Sequence, residues 1–314
     1  MAEVTFLLPA AEAFGAQRLR GAPAQALGRA DRLPGRQPGR QAQLRRHFEL
    51  PHGTWPMAAL SRQADAGDAQ GAAWLRADPA WVRPDINGAR LLACGQDLGL
   101  AAEDAAALLP ALQPLLDEAG IRIDAPHPAR WYLRLAEDAQ LPGFPPPAEA
   151  VGMDLAEQLD DDSPTAARWR ALLTEIQIVL HNHPWNARRA AAGLRPVNSL
   201  WLWGGGVLPA KVASPHRAVA SAEEELQALA AAAGARMTEP AAGFSTSAMP
   251  SLVDLRFLRD LRVFGEQWLL PAVAAVQDGS LGRLVLDLAD GSGIRFTRAQ
   301  RLRFWRRPQD SLAP

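Results

Sequence analysis

A short, uninterrupted apolar run that ends in three glycines is the strongest constraint on how this chain folds. The run is Leu200-Trp201-Leu202-Trp203, and Gly204, Gly205 and Gly206 follow it directly. Four apolar residues in a row are typical of a strand that is covered on both faces. Glycines let the backbone turn sharply or let its amides approach a ligand. We therefore predict an α/β protein with a mixed β-sheet flanked by helices.

Apolar periodicity and turn residues predict the remaining elements. The predicted strands are Val4–Leu8, Ile121–Ile123, Trp131–Leu135 and a C-terminal β-hairpin, which has Leu284, Leu286 and Leu288 on one face and continues with Ile294 and Phe296. One predicted helix begins at Ser163-Pro164, where serine is the N-cap and proline takes the first helical position. The predicted helices span residues 102–119, 163–181, 222–233 and 252–276, with bends or breaks at Pro110, Pro114 and Pro271.

The length of 314 residues suits one large domain or two packed ones. The clearest linker is Leu141–Pro147, where three consecutive prolines favour an extended polyproline-type segment. We predict two lobes that meet near Pro145. Residues 1–145 form an N-terminal α/β lobe, and residues 146–314 form a C-terminal α/β lobe with the glycine motif and the hairpin. Residues 15–46, rich in Arg, Gly, Gln and Pro, are expected to be a solvated connector that carries one short helix.

Charge and cysteine content exclude several classes of protein. The 33 Lys+Arg and 34 Asp+Glu give a net charge of −1, which argues against a nucleic-acid partner bound through phosphate electrostatics. A single cysteine, Cys94, rules out an intrachain disulfide and a four-cysteine zinc site. The N-terminus lacks the basic region of a secretory signal, and no uncharged stretch approaches the roughly 20 apolar residues that span a bilayer. We expect a cytoplasmic protein without a membrane partner.

The densest group of chemically capable residues surrounds the apolar run and predicts a phosphate site. Arginine guanidinium groups bind phosphate bidentately, and glycine amides can form an anion cradle. The spacing G-x-x-x-x-G-K-[ST] is absent, so the segment is not a P-loop. The predicted ligand-binding residues are Asn186, Arg188, Arg189, Arg195, Asn198, Gly204, Gly205 and Gly206.

Two other interpretations of this segment stay open. His181 and His183 form a weaker alternative as metal ligands, although histidines two apart diverge on a helix and converge only in extended chain. In the purely structural interpretation, the two histidines end a helix, Asn186 and Asn198 satisfy buried backbone groups, and the glycines make a tight crossover.

Isolated polar residues elsewhere have mainly structural interpretations. We expect loop positions for the histidines, a small core residue at Cys94, and a carboxylate triplet that complements the macrodipole of the following helix. Asp287 is expected on the strand face opposite the leucines. The residues concerned are His47, His52, His127, Cys94, Asp160, Asp161, Asp162 and Asp287.

The segment from His181 to Gly206 resembles the stretch E-P-x-N-x-x-R…G-x-x-P-A-N-x-x-W-L-W-G-x-G of archaeal-type, cofactor-independent phosphoglycerate mutases. The whole chain, including Trp74–Pro79 and Pro128–Leu133, resembles the bacterial proteins known as phosphoglycerate-mutase-like or RpfE-type regulators. This resemblance implies an alkaline-phosphatase-like architecture. It also implies the family's chemistry, which uses two divalent metals, a phosphorylated serine, and clusters of Asp and His.

The chain departs from that family where the metals would be bound. The opening Phe6–Glu12 contains no aspartate, and no histidine follows His216. Paired metals need convergent carboxylates and imidazoles. The resemblance therefore implies a degenerate alkaline-phosphatase-like protein without a metal cofactor. Such a protein would act not as an enzyme but as a regulator or as a binding protein for a phosphorylated metabolite. The alternatives are an active mutase or phosphotransferase that uses Mn or Zn at a rearranged site, and a protein-interaction module that uses exposed tryptophans.

Overall fold

The computed structural model describes residues 2–51, 55–85, 88–141, 143–152, 163–246 and 250–313. Its contacts divide the chain into two compact units. The first unit combines residues 1–50 with residues 211–314, and the second comprises residues 51–210. The predicted boundary near Pro145 falls inside the second unit, so the division differs from the two consecutive lobes expected. The reason is that strands at both ends of the chain belong to one sheet.

The strands of the described residues are β1 (Glu3–Leu8), β2 (Asp31–Leu33), β3 (Ala73–Asp85), β4 (Gly88–Cys94), β5 (Arg122–His127), β6 (Arg130–Leu135), β7 (Ser199–Val207), β8 (Ala218–Ala220), β9 (Arg236–Thr238), β10 (Leu252–Asp254), β11 (Arg283–Leu288) and β12 (Gly293–Thr297). The helices are α1 (Ala22–Arg29), α2 (Arg40–Arg45), α3 (Met57–Ala66), α4 (Ala102–Glu118), α5 (Pro147–Ala150), α6 (Pro164–His181), α7 (Trp185–Ala191), α8 (Glu224–Ala232), α9 (Leu261–Val263) and α10 (Leu270–Asp278). A π-helical stretch, Phe264–Leu269, joins the last two helices.

The first unit contains a mixed sheet of seven strands in the order β2-β12-β11-β1-β10-β8-β9. β1 pairs in parallel with β10 on one side and with β11 on the other. β12 returns antiparallel to β11, which confirms the predicted hairpin. The strand predicted at Val4–Leu8 is also confirmed. The α/β class with a mixed sheet and flanking helices is therefore correct, although a second sheet accompanies the predicted one.

The two faces of this sheet have different chemistry. Leu284, Leu286 and Leu288 belong to a large apolar core that also contains Phe6 and Leu8. On the opposite face, Leu7 lies in register between Asp254 of β10 and Asp287 of β11. Adjacent residues in register project from the same side of a sheet, so the two aspartates flank Leu7 on one face. The predicted orientation of Asp287, opposite the leucines, is confirmed.

The segment 15–46 is more ordered than a solvated connector. It contains α1, β2 and α2, and it buries Leu27, Gln43 and Leu44. β2 extends the sheet beyond β12. Arg, Gly and Gln suggested solvent exposure, but the apolar residues spaced among them anchor both helices, and so the expectation of one short helix in a solvated arm was wrong.

The helix predicted over residues 252–276 begins later than expected. Leu252–Asp254 forms the buried strand β10, and helical structure begins at Leu261, after Asp260 accepts hydrogen bonds from Arg262 N and Val263 N as an N-cap. Leucines three residues apart suggested a helix from Leu252 onward. Tertiary pairing with β1 decides the conformation of the first three residues instead.

The second unit is built on an antiparallel sheet. β3 pairs with β4 and β6 along one side and with β7 along the other, and β5 continues the sheet beyond β6. α4 and α6 contribute Leu108, Leu112, Trp169 and Ile176 to its core. α4 contains Pro110 and Pro114 but is one helix rather than two. α6 spans the predicted residues, and the Ser163 side chain accepts from Ala166 N as predicted for its N-cap. Asp160, Asp161, Asp162 and His52 lie outside the described residues.

A glycine substitution tests the tight approach between the segment before α2 and the β11–β12 turn. Gly291 has φ +85°, and a Cβ added there would lie 2.0 Å from the Arg36 carbonyl oxygen. We expect Gly291→Ala to lower the free energy of unfolding by about 2–5 kcal/mol. The cost of holding alanine in a left-handed backbone conformation adds to the cost of overpacking its Cβ against Arg36. Gly234→Ala is the matched control, since Gly234 has φ +69° with open space around it, and we expect a loss of about 1–2 kcal/mol. Equal losses in urea unfolding would show that the approach is not tight.

Candidate functional site

The amides of Asn186 and Asn198 serve the backbone around the start of β7. Asn186 donates to the carbonyls of Leu180 (2.8 Å) and Val197 (2.9 Å) and accepts from Val197 N (2.9 Å). Asn198 accepts from Val82 N (2.8 Å) and donates to Val82 O (2.7 Å), as a backbone pair would. These bonds match the structural interpretation of the motif. Both amides are committed to holding β7 in place.

Arg189 is also committed to the fold. Its side chain is 2% exposed, and it forms an ion pair with Asp104 of α4 at 2.7 Å. It donates to the carbonyls of Arg195 (2.9 Å) and Leu98 (2.7 Å). Trp185 Nε1 donates to the Asp104 carboxylate at 2.7 Å. Burial alone would raise the pKa of Asp104, but these bonds together with that of the Ala101 backbone lower it. A buried ion pair with this many partners fixes α7 against α4.

The three glycines lie at the far end of β7 from these residues. Gly204 is six positions beyond Asn198 along the chain, which in a strand is about 20 Å. A Cβ at Gly206 would lie 2.6 Å from Pro56 Cβ, and one at Gly204 would lie 3.1 Å from Ala58 N. The glycines therefore let the start of α3 approach the strand closely. They are neither a crossover nor part of one cradle with Asn186 and Arg189, so the predicted phosphate site is not assembled as expected.

Arg188 and Arg195 are the motif cations that remain exposed. The Arg188 guanidinium lies over the Trp185 ring at 5.1 Å, and that of Arg195 lies over the Trp81 ring at 5.5 Å. Stacking on an indole restrains a guanidinium while its edge stays available for hydrogen bonds. These two side chains are the part of the predicted ligand-binding set that can still contact an anion.

The histidines of the motif do not form a metal cluster. His181 is the exposed last residue of α6, and His183 Nδ1 accepts a hydrogen bond from Trp185 N at 3.2 Å. Across the described ranges, no group of three or more His, Cys, Asp or Glu side chains is arranged to hold a metal ion. The pair therefore ends a helix, as in the structural interpretation.

Arg76 and Asp78 on β3 form a second buried network in this unit. Arg76 binds both oxygens of Asp78, at 2.7 and 2.9 Å, and its guanidinium lies over the Trp203 ring at 5.0 Å. Trp203 Nε1 donates to Asp78 at 2.7 Å. The network joins β3 to β7, so Trp203 of the apolar run stabilises the sheet.

In the first unit, charged residues gather at what we call the carboxyl edge: Asp254, Asp287 and the side chains that contact them where β10 and β11 end. The carboxyl ends of parallel strands are the usual place of binding sites in open α/β sheets. Arg256 binds both oxygens of Asp254, at 2.8 and 2.9 Å, and Ser221 donates to Asp254 at 2.9 Å. Arg256 also pairs with Glu223 at 2.7 Å.

The other half of the carboxyl edge is a chain of hydrogen bonds through His47. Arg46 binds both oxygens of Asp287, at 2.6 and 3.0 Å. His47 Nε2 lies 2.9 Å from Asp287 Oδ2, and His47 Nδ1 lies 3.0 Å from His216 Nε2. Gln43 donates to the carbonyls of Leu8 and Asp287, at 3.1 and 2.6 Å, and so joins the ends of β1 and β11.

The electrostatics of this edge favour ionised aspartates and a neutral His216. Burial by itself would raise the pKa of Asp287, but hydrogen bonds from His47 and Arg46 lower it below the ordinary value. Burial would also raise the pKa of Asp254, but the hydrogen bonds and the charge of Arg256 lower it below the ordinary value. Burial and the neighbouring His47 lower the pKa of His216 to about 4. A buried carboxylate is therefore connected through one imidazole to a second, partly exposed imidazole.

Sequence reasoning missed this edge almost entirely. His47 lies in a turn after α2, as expected, but it is also buried between Asp287 and His216, which was not predicted. The available signal was Asp287 itself, an acidic residue inside an alternating strand, whose partners lie more than two hundred residues away along the chain.

Cys94 is buried as predicted, and burial raises the pKa of its thiol. Nine of the ten tryptophans, all within the described ranges, are buried or half-buried, and Trp305 is the exception.

Parts of the chain are similar to curated phosphoglycerate mutases. A probable 2,3-bisphosphoglycerate-independent phosphoglycerate mutase from Geobacter sulfurreducens is 37% identical over 95 residues, which is 28% of this chain and 23% of that protein. The corresponding enzyme 2 of Methanothermobacter thermautotrophicus is 39% identical over 64 residues, or 20% and 16%. That of Methanothrix thermoacetophila is 31% identical over 101 residues, or 30% and 25%. The chain thus spans a quarter or less of the length of these relatives.

Two solved structures match most of the chain at low identity. A cofactor-independent phosphoglycerate mutase from Thermoplasma acidophilum is 15% identical with a TM-score of 0.45, covering 95% of this chain and 90% of that chain. A Pyrococcus horikoshii protein is 10% identical with a TM-score of 0.40, covering 94% and 86%. No family model matches the chain. The remote similarity to these mutases is confirmed, while the RpfE-type designation stays a prediction.

None of the described helices is both long and apolar enough to cross a membrane.

The structural role of Arg189 predicts a large loss of stability when it is removed. We expect Arg189→Gln to lower the free energy of unfolding by about 3–5 kcal/mol, because it leaves Asp104 buried without its ion pair. The neighbouring Arg188→Gln is the control, and its exposed position predicts a change within about 0.5 kcal/mol. Urea unfolding measures both. Similar small changes in the two variants would contradict the buried role.

His216 predicts a specific pH dependence of stability. Its folded pKa of about 4 lies below the ordinary 6.5, so the unfolded chain binds its proton more readily between these values. Stability contributed by this group is therefore lost as the pH falls from about 6.5 to 4, and it rises in the opposite direction. We expect His216→Gln to flatten the slope of unfolding free energy against pH in that window.

The exposed His181→Gln is the matched control for this measurement, and we expect it to leave the slope unchanged. The lowered pKa values of Asp254 and Asp287 act at lower pH, near and below the ordinary aspartate value of 3.8. Urea unfolding between pH 4.5 and 6.5, values chosen about the histidine window, separates the two effects. An unchanged slope in His216→Gln would show that His216 is solvated in the folded protein.

Proposed function

We propose that the chain is a phosphoglycerate-mutase-like protein that lacks a working metal centre and acts as a regulatory protein that binds a phosphorylated metabolite. One observation carries the first half of the proposal. Arginine binds both oxygens of Asp254 and both oxygens of Asp287 at the carboxyl edge. Guanidinium groups therefore neutralise the two buried carboxylates of this edge, which are its candidate metal ligands.

The donor set at this edge does not fit two divalent ions. A metal ligand needs a lone pair that points at the ion, and a carboxylate has about four acceptor positions. Arg256 and Ser221 occupy four positions on Asp254. Arg46 and His47 occupy three on Asp287. His47 has Asp287 and His216 on its two nitrogens, so it too has no nitrogen left for a metal. The alternative, an active mutase that binds Mn or Zn through His181 and His183, has less support, because among the described residues these histidines belong to no group of three or more His, Cys, Asp or Glu side chains that could hold a metal ion.

The ligand half of the proposal rests on Arg188 and Arg195. Both are exposed, both are held over tryptophan rings, and both belong to the segment that resembles the mutases. A planar guanidinium binds the oxygens of phosphate in a bidentate manner. Three-carbon phosphoglycerates are the ligand class that the similarity to mutases suggests. A cytoplasmic location and a regulatory role of the RpfE type belong to this proposal.

Calorimetry with 3-phosphoglycerate tests the ligand half. We expect heat of binding with the wild-type chain and at least about a tenfold weaker affinity with Arg188→Gln/Arg195→Gln, since two charge-assisted contacts are lost. Arg122→Gln/Arg134→Gln is the matched control, because it removes two exposed arginines from the same unit. Binding that is absent, or equally strong in both variants, would remove this half.

Metal analysis and a mutase assay test the other half. We expect no stoichiometric divalent metal after purification and no conversion of 3-phosphoglycerate to 2-phosphoglycerate with Mg, Mn or Zn added. Asp287→Asn tests the role of this aspartate. If Asp287 serves only the fold, the substitution changes stability and does not change mutase activity. Turnover by the wild-type chain that Asp287→Asn abolishes would show a working centre and overturn the proposal.

A further inference from the structure

A short stretch near the C-terminus exposes large apolar side chains beside arginines. We call residues 301–307 the aromatic tip. Leu302 is 63% exposed, Phe304 is 80% exposed and Trp305 is 67% exposed. The Phe304 and Trp305 rings contact each other edge to face, with centroids 5.4 Å apart. Apolar side chains this exposed and this close together mark an interaction surface more often than chance exposure does.

The charge around the aromatic tip has one sign. Six arginines and no acidic residue occur between Asp290 and Asp310. Two of them, Arg295 and Arg303, pair with Asp31. Arg301, Arg306 and Arg307 are exposed and form no ion pair with an acid of the described residues. The surface therefore presents uncompensated positive charge directly beside its apolar side chains.

The aromatic tip is held by the fold and is not a loose tail. Arg303 donates to Asp31 and to the Arg29 carbonyl, and Gln309 N donates to the Ala24 carbonyl at 3.0 Å. Gly28 lets α1 approach so closely that a Cβ there would lie 2.1 Å from the Arg307 carbonyl oxygen. Beyond the tip, Leu312 is buried in the core of the first unit. The backbone is thus anchored on both sides while the apolar side chains stay in water.

We propose that the aromatic tip docks the protein on an anionic lipid surface. Tryptophan and phenylalanine insert at the boundary between headgroups and acyl chains, and arginines beside them bind lipid phosphates. The exposed aliphatic side chain of Leu302 suits a hydrocarbon environment. Anchoring of the backbone means that little ordering entropy is lost on docking. This inference is independent of the proposed metabolite binding.

Other partners fit these observations less well. A second copy of the chain would bring like-charged arginines together across the contact. Single-stranded nucleic acid stacks bases on open aromatic faces, whereas Phe304 and Trp305 stand edge to face at 84°, and Leu302 offers no stacking surface. The combination of aliphatic, aromatic and basic side chains therefore favours lipid.

Sedimentation with vesicles tests the proposal on the full chain. We expect binding to vesicles of equal parts phosphatidylcholine and phosphatidylglycerol, and little binding to phosphatidylcholine alone. Raising the salt to 1 M should release the protein, since the screening length falls to about 3 Å. We expect Arg306→Gln/Arg307→Gln to weaken binding roughly 25-fold, at about fivefold for each arginine. Phe304→Ser/Trp305→Ser should weaken it at least about tenfold.

Matched variants separate a local effect from a general one. Arg236→Gln/Arg262→Gln removes two exposed arginines of the same unit, and Phe257→Ser removes another exposed aromatic side chain. We expect both to bind vesicles like the wild type. All variants should keep the wild-type melting temperature, because the altered side chains are exposed. Absence of binding to anionic vesicles, equal loss in the control variants, or binding to a single-stranded oligonucleotide but not to vesicles would each overturn the proposal.

Discussion

Parallel pairing of the N-terminal strand with two strands from the end of the chain is the constraint on which the first unit depends. β1 lies between β10 and β11, so its residues make ladder hydrogen bonds on both sides. This arrangement sets Asp254 and Asp287 in one row with Leu7 between them. The apolar core on one face and the carboxyl edge on the other both follow from that register, because a shift by one residue would exchange the faces.

Buried charges in both units are matched by specific partners. Asp104 with Arg189, Asp78 with Arg76, and Asp254 with Arg256 are buried ion pairs that also make hydrogen bonds to other groups. Pairs of this kind cost much to break because the remaining charge is left without water. Through these pairs, the positive charges of these buried arginines are compensated by buried aspartates. The pairs also explain why residues that are suited to phosphate or metal binding serve the fold instead.

Local patterns predicted a good part of the fold. The strands at Val4–Leu8 and Trp131–Leu135, the terminal hairpin and the helix that begins at Ser163 all follow from alternation, capping and turn residues close together in sequence. The helix predicted from Leu252 failed because pairing with β1 overrides a short apolar period. The partners of Asp287 could not be predicted, since Arg46 and His47 lie more than two hundred residues away from it along the chain. For the glycines, absence of a side chain indicated close approach, but it could not indicate that the approaching group is Pro56 and the start of α3.

The backbone pairing between Glu49 and Ala213 has a consequence for how such a chain can evolve. Glu49 N donates to Ala213 O at 2.8 Å, and Ala213 N donates to Glu49 O at 3.0 Å. The first unit therefore already holds together the two points where its chain is interrupted by residues 51–210. An insertion whose flanking residues are clamped in this way can lengthen, shorten or be exchanged for another sequence at little entropic cost to its host. The second unit is in this sense an insertion that can be exchanged, and the sheet around β1 is the part that such an exchange must leave intact.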